Sequence, residues 1–595
     1  MASHRRARIA LPAAFAAIAL GAGILTVMPS AEATDPQTPK PEIPTVVSTA
    51  EVKQRAAEYL KGEDKPADER PEGVEERQPS KSSSPADPKV IGGVDASTGT
   101  APWMVQLYGV DKATGEDFFC GGSLIAPAKV LTAAHCVYGA DWTNQGFVVG
   151  GATRRVSEDA AGNPVFHGGK PAVVKRAWVN PGYSDATLKG DIAVLTLDRP
   201  LPLPTLRFAS PTETAAYRAG TQATVYGWGR TSSEPDSPIS ETLKVATLPI
   251  QADSVCPGWD EAKPYFIAGQ MFCGGEPASG SDSGTVSPCN GDSGGPLLVN
   301  GRIVGVVSWG IEDCVGAGAR SVYAKVSTFS AHIARNVDDA NTTDDDKADL
   351  IARKKTNYNA YLFASQGARS LAAGEWLGVW DNISLIRQAD LNRDSNQDLI
   401  YRTLNGDLWW SRVEYRESTN AYDHVETKIG AGWGKFKNIY IPGDLTGDTY
   451  PDVIGMDPSG VLWMWKGRST GTLQAPVKIS SGWLGTGLFA KGDFSADGKP
   501  DMLARDPSGN LWMYTGTGSA TTPFATTRLL VGKGWNFNGY AAVGDLTGDN
   551  LPDFVARDSS GYLWAYTGTG KPTAPFATAA KVRIGAGWNG FDQIG

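Results

Sequence analysis

Cysteine is scarce in this chain and tightly confined: all six residues lie between Cys120 and Cys314, and the long remainder of the 595 residues has none. A disulfide framework is thereby excluded from most of the chain. The even, clustered set predicts three bonds inside one domain, with the pairing left open by the count alone. An excess of positive charge is lacking too. Lys and Arg number 55 against 64 Asp and Glu, a net charge of −9, which argues against nucleic-acid or anionic-membrane binding. No long apolar run recurs after about residue 28, so no later membrane span is expected. Histidine is limited to five residues, which leaves few candidates for a general base near neutral pH.

Glycine (70) and tryptophan (18) are abundant and point to turn-rich β structure. The length exceeds what one core fills, so two or more domains are expected. Arg5, Arg6 and Arg8 precede an apolar run from Ile9 to about Met28, and Ala31-Glu32-Ala33 follows as a small-x-small site. That layout predicts a secretory signal peptide over 1–33 and a secreted, extracellular protein. Residues 34–89 are rich in Pro, Glu, Lys, Ser and Asp with few aromatics, and are expected to be a disordered pro-segment. At Lys89 the polar sequence gives way abruptly to Val90-Ile91-Gly92-Gly93.

From 90 to about 336, short apolar-alternating runs separated by Gly, Pro, Asn and Asp predict many short strands: Trp103–Leu107, Ala223–Tyr226, Leu297–Val299, Ile303–Trp309 and Val322–Val326, closed by a helix near Thr328–Asn336. The stretch Cys289-Asn290-Gly291-Asp292-Ser293-Gly294-Gly295-Pro296 sets a serine in a glycine-rich turn. Such a turn can direct backbone N–H groups toward one point, and a hydroxyl beside converging donors is what acyl transfer requires. The serine needs a base. His135, in Leu131-Thr-Ala-Ala-His-Cys136, follows an apolar strand, whereas His167 and His332 have no revealing context, His4 lies in the signal and His424 in the repeats described below. Asp191, in Gly190-Asp-Ile-Ala-Val-Leu195, opens an apolar strand where a charge without a partner would be costly.

Val90-Ile-Gly-Gly, Thr132-Ala-Ala-His-Cys136, Asp191-Ile-Ala-Val-Leu195, Gly291-Asp-Ser-Gly-Gly-Pro296 and Ser308-Trp-Gly310, in this order, make the region resemble the chymotrypsin/trypsin family of serine proteases. The resemblance implies two six-stranded β-barrels with the active site between them. His135 would be the base and then the acid, Asp191 its orienter, Ser293 the nucleophile, and the N–H groups of Gly291 and Ser293 the oxyanion hole. It also implies the bonds Cys120–Cys136, Cys256–Cys273 and Cys289–Cys314. Cleavage after Lys89 would free the Val90 ammonium to pair with Asp292 and order the oxyanion turn. At the pocket base, six residues before the nucleophile, Ser287 stands where trypsin-like members carry aspartate, and Ser321 replaces the usual glycine. With Gly310 keeping the entrance open and Ser308 on the wall, small or apolar side chains are expected before the scissile bond. Asp282 could add charge only if the long Cys273–Cys289 loop folds back into the pocket, and Glu312 and Asp313 are expected to be solvated. The activating enzyme would then be a separate, trypsin-like protease.

From about 337 the texture changes, and 12 of the 18 tryptophans lie there. Four acidic loops align, each with oxygen-bearing residues at positions 1, 3, 5 and 9: Asp390, Asn392, Asp394, Asp398; Asp444, Thr446, Asp448, Asp452; Asp493, Ser495, Asp497, Asp501; and Asp545, Thr547, Asp549, Asp553. A fainter copy has Asn341, Thr343, Asp345 and Asp349. Each of the four is followed by Gly-x-Leu-Trp, ending at Trp409, Trp463, Trp512 and Trp564, and most copies end in Gly-Trp, at Trp433, Trp483, Trp535 and Trp588. The ninth-position acids Asp349, Asp398, Asp452, Asp501 and Asp553 are 49, 54, 49 and 52 apart, a period that suggests propeller blades. The last residues, Gly587 to Ile594, match the segment that precedes the acidic loop elsewhere, so the C-terminal strand is expected to complete the first blade of a five-bladed ring. This half resembles FG-GAP/VCBS-type repeats, and four oxygens on a nine-residue loop suit Ca2+.

The expected fold is therefore all-β: a double-barrel protease domain (90–336) followed by a propeller (337–595). The expected function is that of a secreted serine endopeptidase zymogen needing no cofactor for catalysis, with Ca2+ in the repeats. Its partners would be protein or peptide substrates, an activating protease, and a glycan or surface protein at the propeller, with no nucleic acid and no membrane once the signal is removed; the chain is expected to be a monomer. The alternative is a surface-binding or adhesion protein in which the propeller carries the main role and proteolysis is secondary.

Overall fold

The computed structural model describes residues 38–63, 90–97, 99–234, 237–256, 266–338, 341–367 and 370–595. The predicted signal peptide and Lys89 lie outside the described residues.

Two large, mostly antiparallel sheets build the first domain, with a small two-stranded pair, Ser157–Glu158 and Pro164–Val165, beside them. The first runs Lys170–Ala172, Phe147–Gly150, Met104–Val110, Asp117–Ala126, Lys129–Thr132, Ala193–Leu197, Val174–Val179. The second runs Val94–Asp95, Lys244–Pro249, Gln222–Gly227, Pro296–Val299, Arg302–Trp309, Ser321–Lys325, Met271–Gly274, with Arg207–Phe208 added in parallel against Arg302–Trp309. The counts are seven and eight among the described residues, above the six per barrel that the resemblance implies, because short pieces of chain pair at the edges. Val105 and Leu107 face the first core, together with Leu124, Val130, Leu195 and Ile333. Helix α2 (Val326–Val337) follows the last strand and buries Val326, Phe329 and Ile333 in the same core, a spacing that places all three on one helix face.

One expectation is overturned. The segment 34–89 contains a 15-residue helix, α1 (Thr49–Glu63). Its low overall hydrophobicity hides Val52, Ala56, Tyr59 and Leu60, which share one face and pack on Tyr108, Phe147 and Val149 of the first sheet and on Val173 at its edge. This covering explains why Met104–Val110 is buried at every position: the barrel core takes one face and α1 the other.

The second domain is a ring of five four-stranded sheets. Blade 3 shows the pattern: Asn438–Gly443, the acidic loop, Asp452–Met456, Leu462–Trp465, Val477–Ser480. The ring closes as expected, with Phe591–Ile594 pairing antiparallel to Leu350–Lys354 in blade 1 and leaving no open edge between last and first blades. Leu408, Leu462, Leu511 and Leu563 of the Gly-x-Leu-Trp strands are fully buried, while their tryptophans are only half-buried.

The Gly-Trp indoles join successive blades. Trp433, after blade 2, meets Trp465 of blade 3 at 4.3 Å; Trp483 meets Tyr514 of blade 4 at 5.0 Å; Trp535 meets Tyr566 of blade 5 at 4.7 Å; and Trp588 meets Phe363 of blade 1 at 4.9 Å. A residue that looks like a local repeat marker thus acts across the ring.

The protease domain sits on the face of the ring that carries the acidic loops. Arg335 of α2 donates to the Asn550 carbonyl, Arg393 pairs with Asp338, and Lys175 and Arg176 bind Asp344 at 2.5 and 2.6 Å. A cavity of about 530 Å³ remains between the domains, bordered by Arg207, Arg302, Asp444, Asp493 and Asp545.

Candidate active site

Ser293 lies between strands of the second sheet, and its turn is stitched to the first. Its carbonyl accepts from Gly121 N–H at 2.8 Å, and the Gly294 N–H donates to Val307 at 2.9 Å. Gly294 has φ +78°, and an added Cβ would fall 2.1 Å from Thr132 Oγ1, so both conformation and space demand glycine. Gly291 has φ +94°. Among the described residues, neither the Gly291 nor the Ser293 N–H has a protein acceptor. The Cys289–Cys314 bond ties the turn to the opposite wall.

His135 stands on a single 3-10 turn, Ala134–Cys136, directly after Lys129–Thr132, and Cys120–Cys136 fixes that turn to the neighbouring strand. Asp191 is almost wholly buried and receives three donors: His135 N–H at 2.9 Å, His135 Nδ1 at 2.8 Å and Ser308 Oγ at 2.6 Å. These donors fix the carboxylate against the edge of the imidazole. A proton on Nδ1 shared with Asp191 leaves Nε2 free to accept one. The resemblance implies for Ser308 only a place on the pocket wall. Its bond to Asp191 is a second task, signalled by nothing more than its place before Trp309-Gly310.

Asp292 is fully buried and accepts from Gly229 N–H at 2.7 Å and Cys289 N–H at 2.9 Å; burial pushes its carboxyl up to about 7. Val90 is fully buried as well, and Ile91 pairs with Ser287, whose N–H reaches the Ile91 carbonyl at 3.1 Å. The start of the predicted mature chain is therefore threaded along the pocket base.

Ser287 and Ser321 meet there, Oγ to Oγ at 3.0 Å, both buried. Gly310 has nothing within 4 Å of an added Cβ, so the entrance is open. Asp282 does not reach the pocket: it accepts from Ser232 Oγ at 2.8 Å and Ser233 N–H at 2.9 Å, tethering its loop instead. Glu312 and Asp313 are exposed. The third bond, Cys256–Cys273, completes the pairing that the resemblance implies.

The acidic loops share one backbone form. Positions 4 and 6 have positive φ in every copy, the first included: Asp344 and Asp346, Arg393 and Ser395, Gly447 and Thr449, Ala496 and Gly498, Gly548 and Asn550. This turns successive N–H groups onto the first-position side chain, and Asp444 accepts from Thr446, Gly447, Asp448 and Thr449. Burial and mutual repulsion raise the carboxyls, Asp452 and Asp553 to about 7 and Asp497 and Asp545 to about 6. Carboxylate oxygens of Asp493, Asp497 and Asp501 lie within 4.8 Å of one another. Among the described residues, Asn392 Oδ1 and Thr446 Oγ1 are buried without a hydrogen-bond partner. All-oxygen donors, crowded and partly unsatisfied, fit a hard divalent cation.

Three anchors stand outside the motifs that mark the repeats. Asp457, Asp506 and Asp558 accept from the indole N–H of Trp463, Trp512 and Trp564 at 2.9, 3.0 and 2.8 Å. The signal was an aspartate six residues before each tryptophan. Arg528 lies 3.9 Å over the Trp512 ring and Lys581 4.7 Å over Trp564, so these ring faces already carry partners.

Comparison with known proteins matches residues 90–333 to the trypsin family model and residues 444–504 and 493–556 to the FG-GAP-like repeat. A trypsin of Saccharopolyspora erythraea is 37% identical over 240 residues, 40% of this chain and 94% of that protein. Trypsin I-P1 of Gallus gallus is 32% identical over 247 residues, covering 42% and 88%, and trypsin 5G1 of Aedes aegypti is 34% identical over 251 residues, covering 40% and 82%. With its double barrel, its FG-GAP-like repeats and near-complete coverage of these relatives, the chain belongs to the trypsin family of serine proteases, extended by a five-bladed propeller.

Proposed function

We propose that this chain is a secreted serine endopeptidase made as a zymogen. The observation that carries the reading is the Asp191 carboxylate holding both His135 N–H groups and Ser308 Oγ, beside a serine turn whose Gly291 and Ser293 N–H groups are uncommitted. His135 Nε2 takes the Ser293 hydroxyl proton as the oxygen attacks a peptide carbonyl. The Gly291 and Ser293 N–H groups hold the oxyanion, His135 returns the proton to the departing amine, and water then cleaves the acyl-enzyme by the same route. Ser293→Ala tests this directly. Hydrolysis of any peptide substrate should vanish while folding stays intact; retained hydrolysis sinks the proposal.

Export is supported by the basic and apolar leader at 5–28 and by three disulfides. Hydrolysis at Lys89–Val90 would supply an ammonium for the buried Asp292 carboxyl, which among the described residues has only the Gly229 and Cys289 N–H groups as donors. The relatives are trypsins by name, yet the neutral Ser287–Ser321 base supports a preference for small or apolar side chains. Kinetics on peptides differing only before the scissile bond decide it, and strong Arg/Lys selectivity overturns it.

For the propeller we propose Ca2+ held by Asp390, Asn392, Asp394, Asp398 and their counterparts in the next three loops. Bound there, the ion would supply positive charge against the repulsion that raises these carboxyls. The propeller acts as an accessory module whose acidic-loop face meets the protease.

A further inference from the structure

Blade 2 breaks the regularity of the ring. Its outer strands, Leu408–Arg416 and Ala421–Gly430, have 9 and 10 residues, whereas the corresponding strands of blades 3, 4 and 5 have 4 each. This is also the copy with the longest spacing, 54 residues from Asp398 to Asp452. The extra length forms an arm that reaches the protease domain. Arg199 Nη1 donates to Tyr415 Oη at 3.2 Å and to Asn420 Oδ1 at 2.5 Å, and Tyr422 Oη donates to the Asp198 carbonyl at 3.1 Å.

A third piece of chain enters this junction. Val47 N–H donates to Asp198 Oδ2 at 3.1 Å, and the Val47 carbonyl accepts from Arg199 Nη2 and from Asn420 Nδ2 at 3.1 Å. Asp198 and Arg199 are also paired to each other, and both are buried. Upstream, the Pro39 carbonyl accepts from Ser411 of blade 2. Downstream, α1 buries Val52, Ala56, Tyr59 and Leu60 on the barrel, and Arg55, itself buried, donates to the carbonyls of Thr143 and Gly146 at 3.1 Å each. Residues 38–63 therefore touch both domains through apolar packing and hydrogen bonds. Among the described residues, none of these contacts falls on His135, Asp191, Ser293 or Ser287.

We infer that residues 38–63 are a strap, bound noncovalently to the first barrel and blade 2, that stays in place after the chain is cut at Lys89. The inference rests on the activation step proposed above: water adds across the Lys89–Val90 bond, leaving a Lys89 carboxylate and a Val90 ammonium. The processed enzyme is then two chains, with the pro-peptide as a permanent structural piece rather than a discarded plug. Departure of the strap would expose Tyr59 and Leu60 together with Tyr108, Phe147 and Val149. It would also leave the buried Asp198–Arg199 pair without the Val47 amide, a loss that a buried charge tolerates poorly. The elongated hairpin is explained in the same way, as the propeller's contribution to the grip.

The test uses the full chain carrying Ser293→Ala, with a recognition sequence for a site-specific protease placed between Glu63 and Val90. After cutting, gel filtration in native buffer and again in high salt is followed by mass spectrometry of each peak. The fragment containing 38–63 should co-elute with the Val90 fragment in equal amount under both conditions; its elution as a free peptide overturns the inference. Asn420→Ala removes one polar anchor and should speed release roughly fivefold. Ala56→Arg places a charge in the helix face and should release the fragment only after cutting; retention of the cut fragment in both variants also overturns the inference. Because the designed cut is independent of Lys89, terminal sequencing of the naturally processed enzyme is a separate readout. A terminus other than Val90 sinks the activation reading alone.

Discussion

The two halves of this molecule organise their chemistry in opposite ways. The protease concentrates it: one buried Asp191, one histidine turn and one serine turn carry the site, the two turns each pinned by a disulfide, and each residue has a role that no other residue duplicates. The propeller distributes it: five loops of one backbone form, blade-to-blade indole contacts, and no cysteine beyond Cys314. Damage should therefore be all-or-none in the first half and graded in the second.

The largest effect sharpens the concentrated side. Ser293→Ala should lower kcat on the order of 10⁶-fold, and Asp191→Asn about 10⁴-fold, with the melting temperature nearly unchanged for Ser293→Ala. Steady-state hydrolysis of a short peptide by the Val90-processed enzyme measures both. A loss of only tenfold for Ser293→Ala would mean that the turn is not the seat of the reaction.

In the propeller, the largest losses should come from the buried Gly-Trp indoles Trp433, Trp535 and Trp588, the last of which stands where the ring closes. Trp588 is buried between Phe363 and Phe591, with centroids 4.9 and 5.0 Å away, so Trp588→Ala should cost about 3–5 kcal/mol. Trp483 makes the equivalent contact in a half-buried site and should cost clearly less when truncated. Equal losses in denaturant melts of the two variants would break the view that burial, rather than repeat position, sets the cost.

Asp292 would link charge to the proposed processing. Its folded carboxyl is raised to about 7 from an ordinary value of 3.8, so between these values the native uncut chain holds a proton that the unfolded chain has released. Stability from this group is present at low pH and lost as pH rises through about 7, by a few kcal/mol. In the uncut Ser293→Ala background, adding Asp292→Asn should leave the melting temperature little changed near pH 4 and raise it above pH 7. After cleavage the Val90 ammonium would reverse the preference, and Asp292→Asn should then destabilise. The same sign in cut and uncut protein would exclude the ion pair.

Much of this was legible because specific chemistry forces specific spacing. His135, Asp191 and Ser293 stand in motifs whose glycines and apolar strands leave few alternatives, and the repeat period announced the five blades and their closure. What escaped depends on surfaces distant in sequence. The apolar stripe Val52, Ala56, Tyr59, Leu60 is diluted by Lys, Arg and Glu, and its meaning lies in Tyr108 and Phe147 on the other partner. The 54-residue spacing was visible, but its reason is Arg199, some 200 positions away. Asp282 could be weighed only as charge, whereas its actual task is to accept hydrogen bonds from Ser232 and Ser233.

The smallest effect tests the distributed side. Asp497 in loop 4 accepts from the Lys499 N–H at 3.0 Å, and the neighbouring Asp493 charge helps to raise its carboxyl to about 6. An asparagine oxygen can keep that hydrogen bond while removing the repulsion. In calcium-free buffer, Asp497→Asn should therefore melt at or slightly above the unsubstituted protein. With calcium at a hundredfold excess over its dissociation constant, one occupied loop adds about 2.7 kcal/mol, and the variant should lose at most that share while the other loops keep theirs. Calorimetry with and without chelator reads both numbers. Loss of the entire calcium-induced gain in this one variant would show that the loops act as a single cooperative unit, and an absent gain in the parent protein would remove the metal from the propeller altogether.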